Sequence, residues 1–380
     1  MAESPPARIV DLLPEFHVVR LPMVTRFRGI TEREVLLFEG PAGWAEFSPF
    51  VEYDVPEAAR WLRAALEFAG CPVRAGADVA DMAQTGADRS GADRSGADRS
   101  GADRTIAETP DPLPSHVEVN ATLPACRVED VEPILARFGP VGTVKAKIAE
   151  RGLESLPEDL ERLGEFRRLF PSTVLRLDAN AGYSLPEAVR ACTALARFDL
   201  QYVEQPVAAV EDMARLRSAL AERDLPVVLA ADESIRKAED PLRVARLGAA
   251  EVIIVKVQPL GGIAAARAVV AECGLPAVVS SALESSVGLP AGAQLAATLP
   301  VTARSRELLG PSPACGLGTA RLFAEDVVSP GLTPVRGRIP TTRIAPDPDR
   351  LKALAVAPGR REWWSTRLQE CWDLLLSRRT

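Results

Sequence analysis

Histidine is nearly missing from this chain: its 380 residues include two, His17 and His116. Neither lies near other chemistry-bearing groups in the sequence, so each reads as structural and any general base falls to another side chain. The six cysteines (Cys71, Cys126, Cys192, Cys273, Cys315 and Cys371) form no Cys-x-x-Cys pair and follow no regular spacing. That pattern excludes a structural zinc site and a disulfide framework, leaving buried free thiols. Excess basic charge is absent too: the net charge is −7 and the pI about 5.3, against the basic patch that nucleic-acid binding requires. No apolar run approaches the ~18 residues of a membrane span. The N-terminal MAESPPARIVDLLPEF puts acids and prolines where a signal peptide needs a basic start and an apolar core. The expectation is a soluble cytoplasmic protein with no nucleic-acid, membrane or obligatory protein partner.

What is present suffices for a sizeable core, at 47% hydrophobic residues. FHVVRL, EVLLFEG and GWAEFSPF are short strand-like runs, and EAARWLRAALEFAG repeats apolar residues at helical spacing. Residues 1–80 therefore read as a small α+β unit. Residues 86–105 are a tandem repeat, GADRS GADRS GADRS GADRT, within a low-complexity stretch at 81–112. It contains nothing that buries apolar surface and reads as a tolerated loop expansion. From about residue 113 to 335 strands and helices alternate, with Ser184 and Pro186 opening one of the helices. So many βα units favour a closed barrel over an open sheet. Residues 336–380 end in REWWSTRLQECWDLLLS, an amphipathic helix whose Trp363, Trp364 and Trp372 read as packing residues.

Within the alternating region five charged residues each close a short apolar run: Lys147, Asp178, Glu204, Asp232 and Lys256, spaced 24 to 31 residues apart. That period is about one strand-plus-helix unit. A charge at the end of a buried strand is costly unless paired, metal-bound or catalytic. A single such acid reads as a surface cap or salt bridge; three on consecutive strands would converge at the C-terminal rim of a barrel. Three hard oxygen donors suit Mg²⁺, or Mn²⁺ in its place, rather than zinc. Lys145 and Lys147, two apart on one strand, point to one face, and Lys256 lies on a later strand across the mouth. A partly desolvated lysine near other cations has a lowered pKa and acts as a base near neutral pH. The set fits proton abstraction beside the carboxylate of a small anionic substrate, with cations stabilising the enediolate.

These residues sit in motifs that resemble the enolase superfamily, in its muconate-lactonizing subgroup: KAK at 145–147, LDAN at 177–180, VEQP at 203–206, ADES at 231–234 and IVKVQPLGG at 254–262. GWAEFSPF, VNATLPA, SSALESSVGL and ACGLGTARLFAEDV resemble the subgroup's dehydratase branch. The resemblance implies a modified (β/α)₇β barrel over residues 113–335, capped by an α+β domain from residues 1–80 with contributions from 336–380. It implies Mg²⁺ on Asp178, Glu204 and Asp232. Lys147 would be the base of a syn elimination of water, with Lys256 stabilising the enediolate and Lys145 tuning Lys147. Asn180, Ser281, Ser285 and Gly288 would contact substrate, the last three at its succinyl end. Arg28, beside Gly29 in RFRGI, would close over the ligand, although it also reads as a solvated charge. The same equipment serves racemisation of N-succinylamino acids, dipeptide epimerisation or cycloisomerisation; a barrel that merely binds an anion would have no reason to keep all five groups.

Overall fold

The computed structural model describes residues 6–27, 29–72, 113–236 and 241–377; Arg28 and the GADRS repeat lie outside them. The first strand-like runs form an antiparallel sheet of β1 (His17–Phe27), β2 (Ile30–Gly40) and β3 (Gly43–Phe47). In β2 the consecutive residues Val35, Leu36, Leu37 and Phe38 are all buried, so both faces of the sheet are covered there. The helix Val55–Phe68 begins where the Asp54 carboxylate accepts a hydrogen bond from the Glu57 N–H at 2.8 Å, with proline in its first turn. Its buried Ala58, Trp61, Leu62, Ala65 and Leu66 recur at helical spacing. They pack against the helix Pro358–Ser377, which buries Trp364, Leu368, Cys371 and Trp372. Trp364 meets Phe47 edge-on at 5.9 Å, and its indole N–H donates to Glu34 at 2.9 Å. Trp363, half-buried, lies under the Arg360 guanidinium at 4.0 Å. The C-terminal helix thus closes the hydrophobic layer that the N-terminal unit starts.

HVEVNATLP divides into two short strands. β4 (His116–Glu118) pairs antiparallel with a late strand, and β5 (Ala121–Leu123) opens the barrel. TVKAKIAE likewise divides, into β6 (Thr143–Lys147) and β7 (Glu150–Leu153), around Ala149 at φ +62°. Then come β8 (Val174–Asp178), β9 (Leu200–Glu204), β10 (Leu229–Ala231), β11 (Val252–Val255), β12 (Ala277–Val279) and finally β13 (Arg338–Pro340), the partner of β4. The parallel sheet runs β5–β6–β8–β9–β10–β11–β12. Residues 315–316 close it: Cys315 bridges Val119 and Gly316 bridges Ser280. Asn120 N–H donates to the Cys315 carbonyl at 2.9 Å, and Gly316 N–H to the Val279 carbonyl at 2.8 Å. The result is a (β/α)₇β barrel.

Tyr202, Ala230, Val252, Ile254 and Val278 fill the barrel's lower interior together with Leu309. Beside them Arg176, 1% exposed, donates to the Ala314 carbonyl at 2.6 Å and stacks 5.0 Å from the Tyr202 ring. A buried guanidinium is tolerated when its donors are used. With the base plugged, only the C-terminal rim is open to chemistry. Five of the six free cysteines are buried; Cys126 departs from that expectation and is half-buried. No helix among the described residues is long and apolar enough to cross a membrane.

Candidate active site

Strand register places the charged residues. Lys147 stands opposite Asp178, and Asp178 opposite Glu204, at the C-terminal ends of β6, β8 and β9. Asp232 follows Ala231 at the end of β10, and Lys256 follows Val255 at the end of β11. Counting strands, Lys256 lies four steps from Lys147 around an eight-membered ring, on the opposite wall. The backbone just beyond the strand ends is constrained: Ala149, Asn180, Ala181 and Gln205 all have positive φ. Non-glycine residues avoid that region unless the surroundings hold them there, and such residues gather at functional sites.

Lys147 Nζ donates to Asp178 Oδ2 at 2.5 Å and to Asn180 Oδ1 at 2.8 Å. Lys145 Nζ lies between two acids, 3.2 Å from Asp178 Oδ2 and 3.0 Å from Glu204 Oε2. Lys256 Nζ donates to Asp232 Oδ2 at 2.6 Å. Asp178, Glu204 and Asp232 are each at most 1% exposed. Burial would raise the Asp178 pKa, but the charges of Lys147 and Lys145 outweigh it and hold the carboxyl well below its usual range. Glu204 goes the other way: burial, then the like charge of Asp178, pushes it up to about 7 against the pull of Lys145. For Lys145, burial lowers the pKa, and Glu204 and Asp178 raise it by more. The expectation of a lowered lysine pKa therefore fails at Lys145, because its neighbours are carboxylates before they are cations; it is a fixed positive charge beside Lys147.

Among the described residues no three His, Cys, Asp or Glu side chains form a ready metal cage, since the lysine ammonium groups lie against the acids. The donor chemistry nonetheless fits a hard divalent cation. Three buried carboxylates end consecutive strands, and Glu204 carries an excess of negative surroundings that a cation would relieve. Two residues without a role in the sequence reading orient this set. Arg236 Nε donates to Asp232 Oδ1 at 3.1 Å. The Gln205 amide oxygen accepts from the N–H groups of Asp232 and Ser234 at 3.0 and 3.1 Å, fixing the ends of β9 and β10 together. Arg236, four residues after Asp232 in ADESIR, was legible as an i,i+4 partner.

A cavity of about 40 Å³ opens on this cluster, lined by Lys145, Lys147, Asp178, Lys256, Ser281 and Phe50 among others. Ser285 and Gly288 are absent from its lining. Ser285 instead donates from both N–H (2.9 Å) and hydroxyl (2.5 Å) to Glu46 Oε2 of β3. A Cβ on Gly288 would come within 2.8 Å of the same carboxylate. Arg33 of β2 grips the segment from the other side, donating to the carbonyls of Ser48, Leu283 (3.3 Å) and Ala282 (3.4 Å). A larger groove of about 720 Å³, walled by Arg215, Arg217 and Leu247, lies at the opposite end of the strands, away from these groups. His17 and His116 are outside the cavity as well.

Buried acids and lysines at the rim of a (β/α)₇β barrel, beneath an α+β cap, are the architecture of one enzyme class. The chain belongs to the enolase superfamily: an enolase N-terminal domain-like model matches residues 18–69 and an enolase C-terminal domain-like model residues 128–346. More narrowly, it is 44% identical over 377 residues to the o-succinylbenzoate synthase of Mycobacterium marinum, covering 98% of each chain. It is 45% identical over 369 residues to that of Mycobacterium tuberculosis, covering 96% of each. Among solved structures the fold is shared with a muconate lactonizing enzyme from Pseudomonas fluorescens (TM-score 0.64, 18% identity, 90% and 98% covered). It is shared also with the L-Ala-D/L-Glu epimerase from Bacillus subtilis (TM-score 0.61, 20% identity, 87% and 96% covered).

Proposed function

We propose that this enzyme is a cytoplasmic o-succinylbenzoate synthase. It would catalyse the syn dehydration of 2-succinyl-6-hydroxy-2,4-cyclohexadiene-1-carboxylate to o-succinylbenzoate in menaquinone biosynthesis, dependent on Mg²⁺ with Mn²⁺ as a substitute. The observation that carries the proposal is the placement of two lysines on opposite walls of one cavity, with Asp178, Glu204 and Asp232 closing the strands between them. Identity of 44–45% to the mycobacterial synthases over nearly the whole chain directs that equipment toward dehydration.

Asp178, Glu204 and Asp232 would hold the cation, which when bound supplies positive charge for the substrate carboxylate as the neighbouring carbon loses its proton. Lys147, aimed by Asp178 and Asn180, takes that proton in its neutral form and delivers it on the same face to the departing hydroxyl. One C–H bond and one C–O bond break, water leaves, and the ring becomes aromatic. Lys256 and Lys145 stay protonated, so the enediolate forms between fixed cations. Of Ser281, Ser285 and Gly288, Ser281 is the one that lines the cavity, next to Ala282 and Leu283. A second reading, racemisation of N-succinylamino acids, draws on the same opposed lysines, which could exchange a proton across one carbon.

The deciding assay follows dehydration by absorbance with Mg²⁺, with a chelator, and for Lys147→Ala. Turnover abolished by both chelator and mutation is the expected result. No turnover of the wild-type enzyme with Mg²⁺ sinks the dehydratase reading and sends the test to N-succinylamino acids.

A further inference from the structure

Lys147 is held at the end of β6 by its backbone as well as by its ammonium group. We propose that Asp159 and Arg162, a buried pair on the helix Leu156–Leu169, are positioning residues that set the backbone from which Lys147 reaches the substrate. The proposal rests on the reading above, in which Lys147 moves the proton.

The helix itself raises the question. Asp159, Arg162, Leu163 and Phe166 are its buried residues, and their spacing puts them on one face. Such a face is ordinarily apolar, yet here it carries two full charges, 1% and 2% exposed. A buried ion pair adds little stability over well-packed apolar side chains. What the pair contributes lies in the other groups it holds.

Those groups are the backbone of the base and its neighbours. Arg162 Nη2 pairs with Asp159 and donates to the Lys147 carbonyl at 2.9 Å. Asp159 Oδ2 accepts from the Ala149 N–H at 3.0 Å. Between them the Ile148 N–H donates to the Asp178 carbonyl at 3.0 Å. Each residue from Lys147 to Ala149 therefore has a backbone group fixed from outside its own strand. Arg162 Nη1 also donates to the Cys126 carbonyl at 3.2 Å, just past β5, whose Thr122 lines the reaction cavity. One guanidinium, with its fork of donors, ties together the ends of two neighbouring strands.

The turn needs that hold. Ala149 has φ +62°, a conformation that a non-glycine residue keeps only when its surroundings impose it. On one side the loop beyond β8 presses on it: a Cβ on Gly182 would come within 2.7 Å of the Ala149 carbonyl. On the other side stands Asp159. Without the pair, Ala149 is free to leave the left-handed region, and the movement starts two residues from Lys147. The Lys147 ammonium must stay within reach of Asp178 and Asn180. A displacement of about 1 Å at a reacting group can cost roughly 10²-fold in rate. Substrate affinity draws on the cation and on the other walls of the cavity, so the loss belongs in kcat.

The test is steady-state dehydration by the full-length enzyme with Mg²⁺, corrected for folded fraction, beside calorimetric titration with the product o-succinylbenzoate. Arg162→Met removes both carbonyl bonds. Its kcat should fall about tenfold or more while KM and product affinity stay within about threefold, the pattern of a group that matters only in the transition state. Arg162→Lys, which keeps the charge and can reach one carbonyl, should regain part of kcat. Leu216→Ala, a core truncation on the helix Val210–Ala221, is the comparison: it lowers stability and should keep kcat within about twofold. If Arg162→Met does not fold, Asp159→Asn decides. It keeps an acceptor for Ala149 but loses the charge that fixes the guanidinium, and its kcat should fall about threefold or more at unchanged KM. Wild-type kcat in the deciding variant overturns the proposal. So does a loss of product affinity in step with kcat, or an equal kcat loss in Leu216→Ala, since either marks the pair as structural. A wild type that does not turn over the dehydration substrate overturns the function reading and this assignment together. Turnover without the kcat contrast overturns this assignment alone.

Discussion

Two clusters of buried charge lie close together in this enzyme and are built to opposite ends. At the barrel rim, Asp178, Glu204 and Asp232 share Lys145, Lys147, Lys256 and Arg236, and the cluster opens on a cavity. At the seam between cap and barrel, Glu46 and Glu284 share Arg33, and these groups spend their hydrogen bonds on backbone and hydroxyl partners: Ser48, Ala282, Leu283 and Ser285. Both clusters include a carboxyl pushed up to about 7, Glu204 at the rim and Glu46 at the seam, mainly by burial and then by a like charge. The difference is where the unspent interaction points. At the rim it faces open space, where a ligand can collect it; at the seam it is closed off and fixes the segment that carries Ser281. Burial and charge alone do not mark an active site. A shared cavity does.

The comparison breaks most sharply at Lys147. Lys147→Ala should lower kcat by about 10³-fold or more, the range for loss of a positioned acid–base group, with little change in the unfolding midpoint because Lys145 still faces Asp178. A midpoint that collapses along with activity would make the rim a structural cluster like the seam. Arg33→Met should do the reverse. Three buried carbonyls lose their donor and two carboxyls lose their counter-charge, so stability should drop by about 3 kcal/mol or more, measured by denaturant unfolding. Turnover of the folded fraction should fall less than in Lys147→Ala.

A finer probe is pH. Glu46 has a folded pKa near 7 against an ordinary 4.5, raised by burial first and by Glu284 second, while Ser285, Ser48 and Arg33 pull it down. The folded state therefore binds more protons than the unfolded state between about pH 4.5 and 7, and this group's contribution to stability falls as pH rises through that window. Glu46→Gln removes the titration and keeps an acceptor oxygen. Its melting temperature relative to wild type should rise from pH 5 to pH 7.5, read by calorimetry. A flat difference would mean that Glu46 is already ionised in the fold and that the seam is held by ion pairing.

The rim was legible in the sequence and the seam was not, for a physical reason. Lys147, Asp178, Glu204, Asp232 and Lys256 each end an apolar run, and a βα period carries such ends to one rim whatever the loops do. The seam joins Arg33 to Leu283 and Glu46 to Ser285 across 250 and 239 positions. Within TEREVLLF and GWAEF these charges look like the solvent face of a half-buried strand. Nothing local says that a barrel loop covers that face. The closing strand was hidden by its length, since residues 315–316 form bridges rather than an apolar run. HVEVNATLP, read as one strand, divides because β4 pairs with β13 below the barrel while β5 belongs to it.

The smallest effect is expected where the chain leaves the cap and returns to the barrel. The described chain stops at Pro72 and resumes at Leu113. The return is anchored where Thr341 N–H donates to the Ser115 carbonyl at 3.0 Å, just before β4 pairs with β13. That anchor precedes β5 and so lies at the N-terminal end of the barrel, opposite the rim. The GADRS repeat makes up half of the intervening 73–112 stretch. By loop-closure entropy, halving a connection changes its closure free energy by only about 0.6 kcal/mol, in the direction of greater stability. Deleting residues 86–105 should leave kcat/KM within about twofold and the melting temperature equal or slightly higher. A marked loss of kcat/KM with an unchanged melting temperature would mean that the repeat reaches the rim, and that the site has a third wall which neither charged cluster supplies.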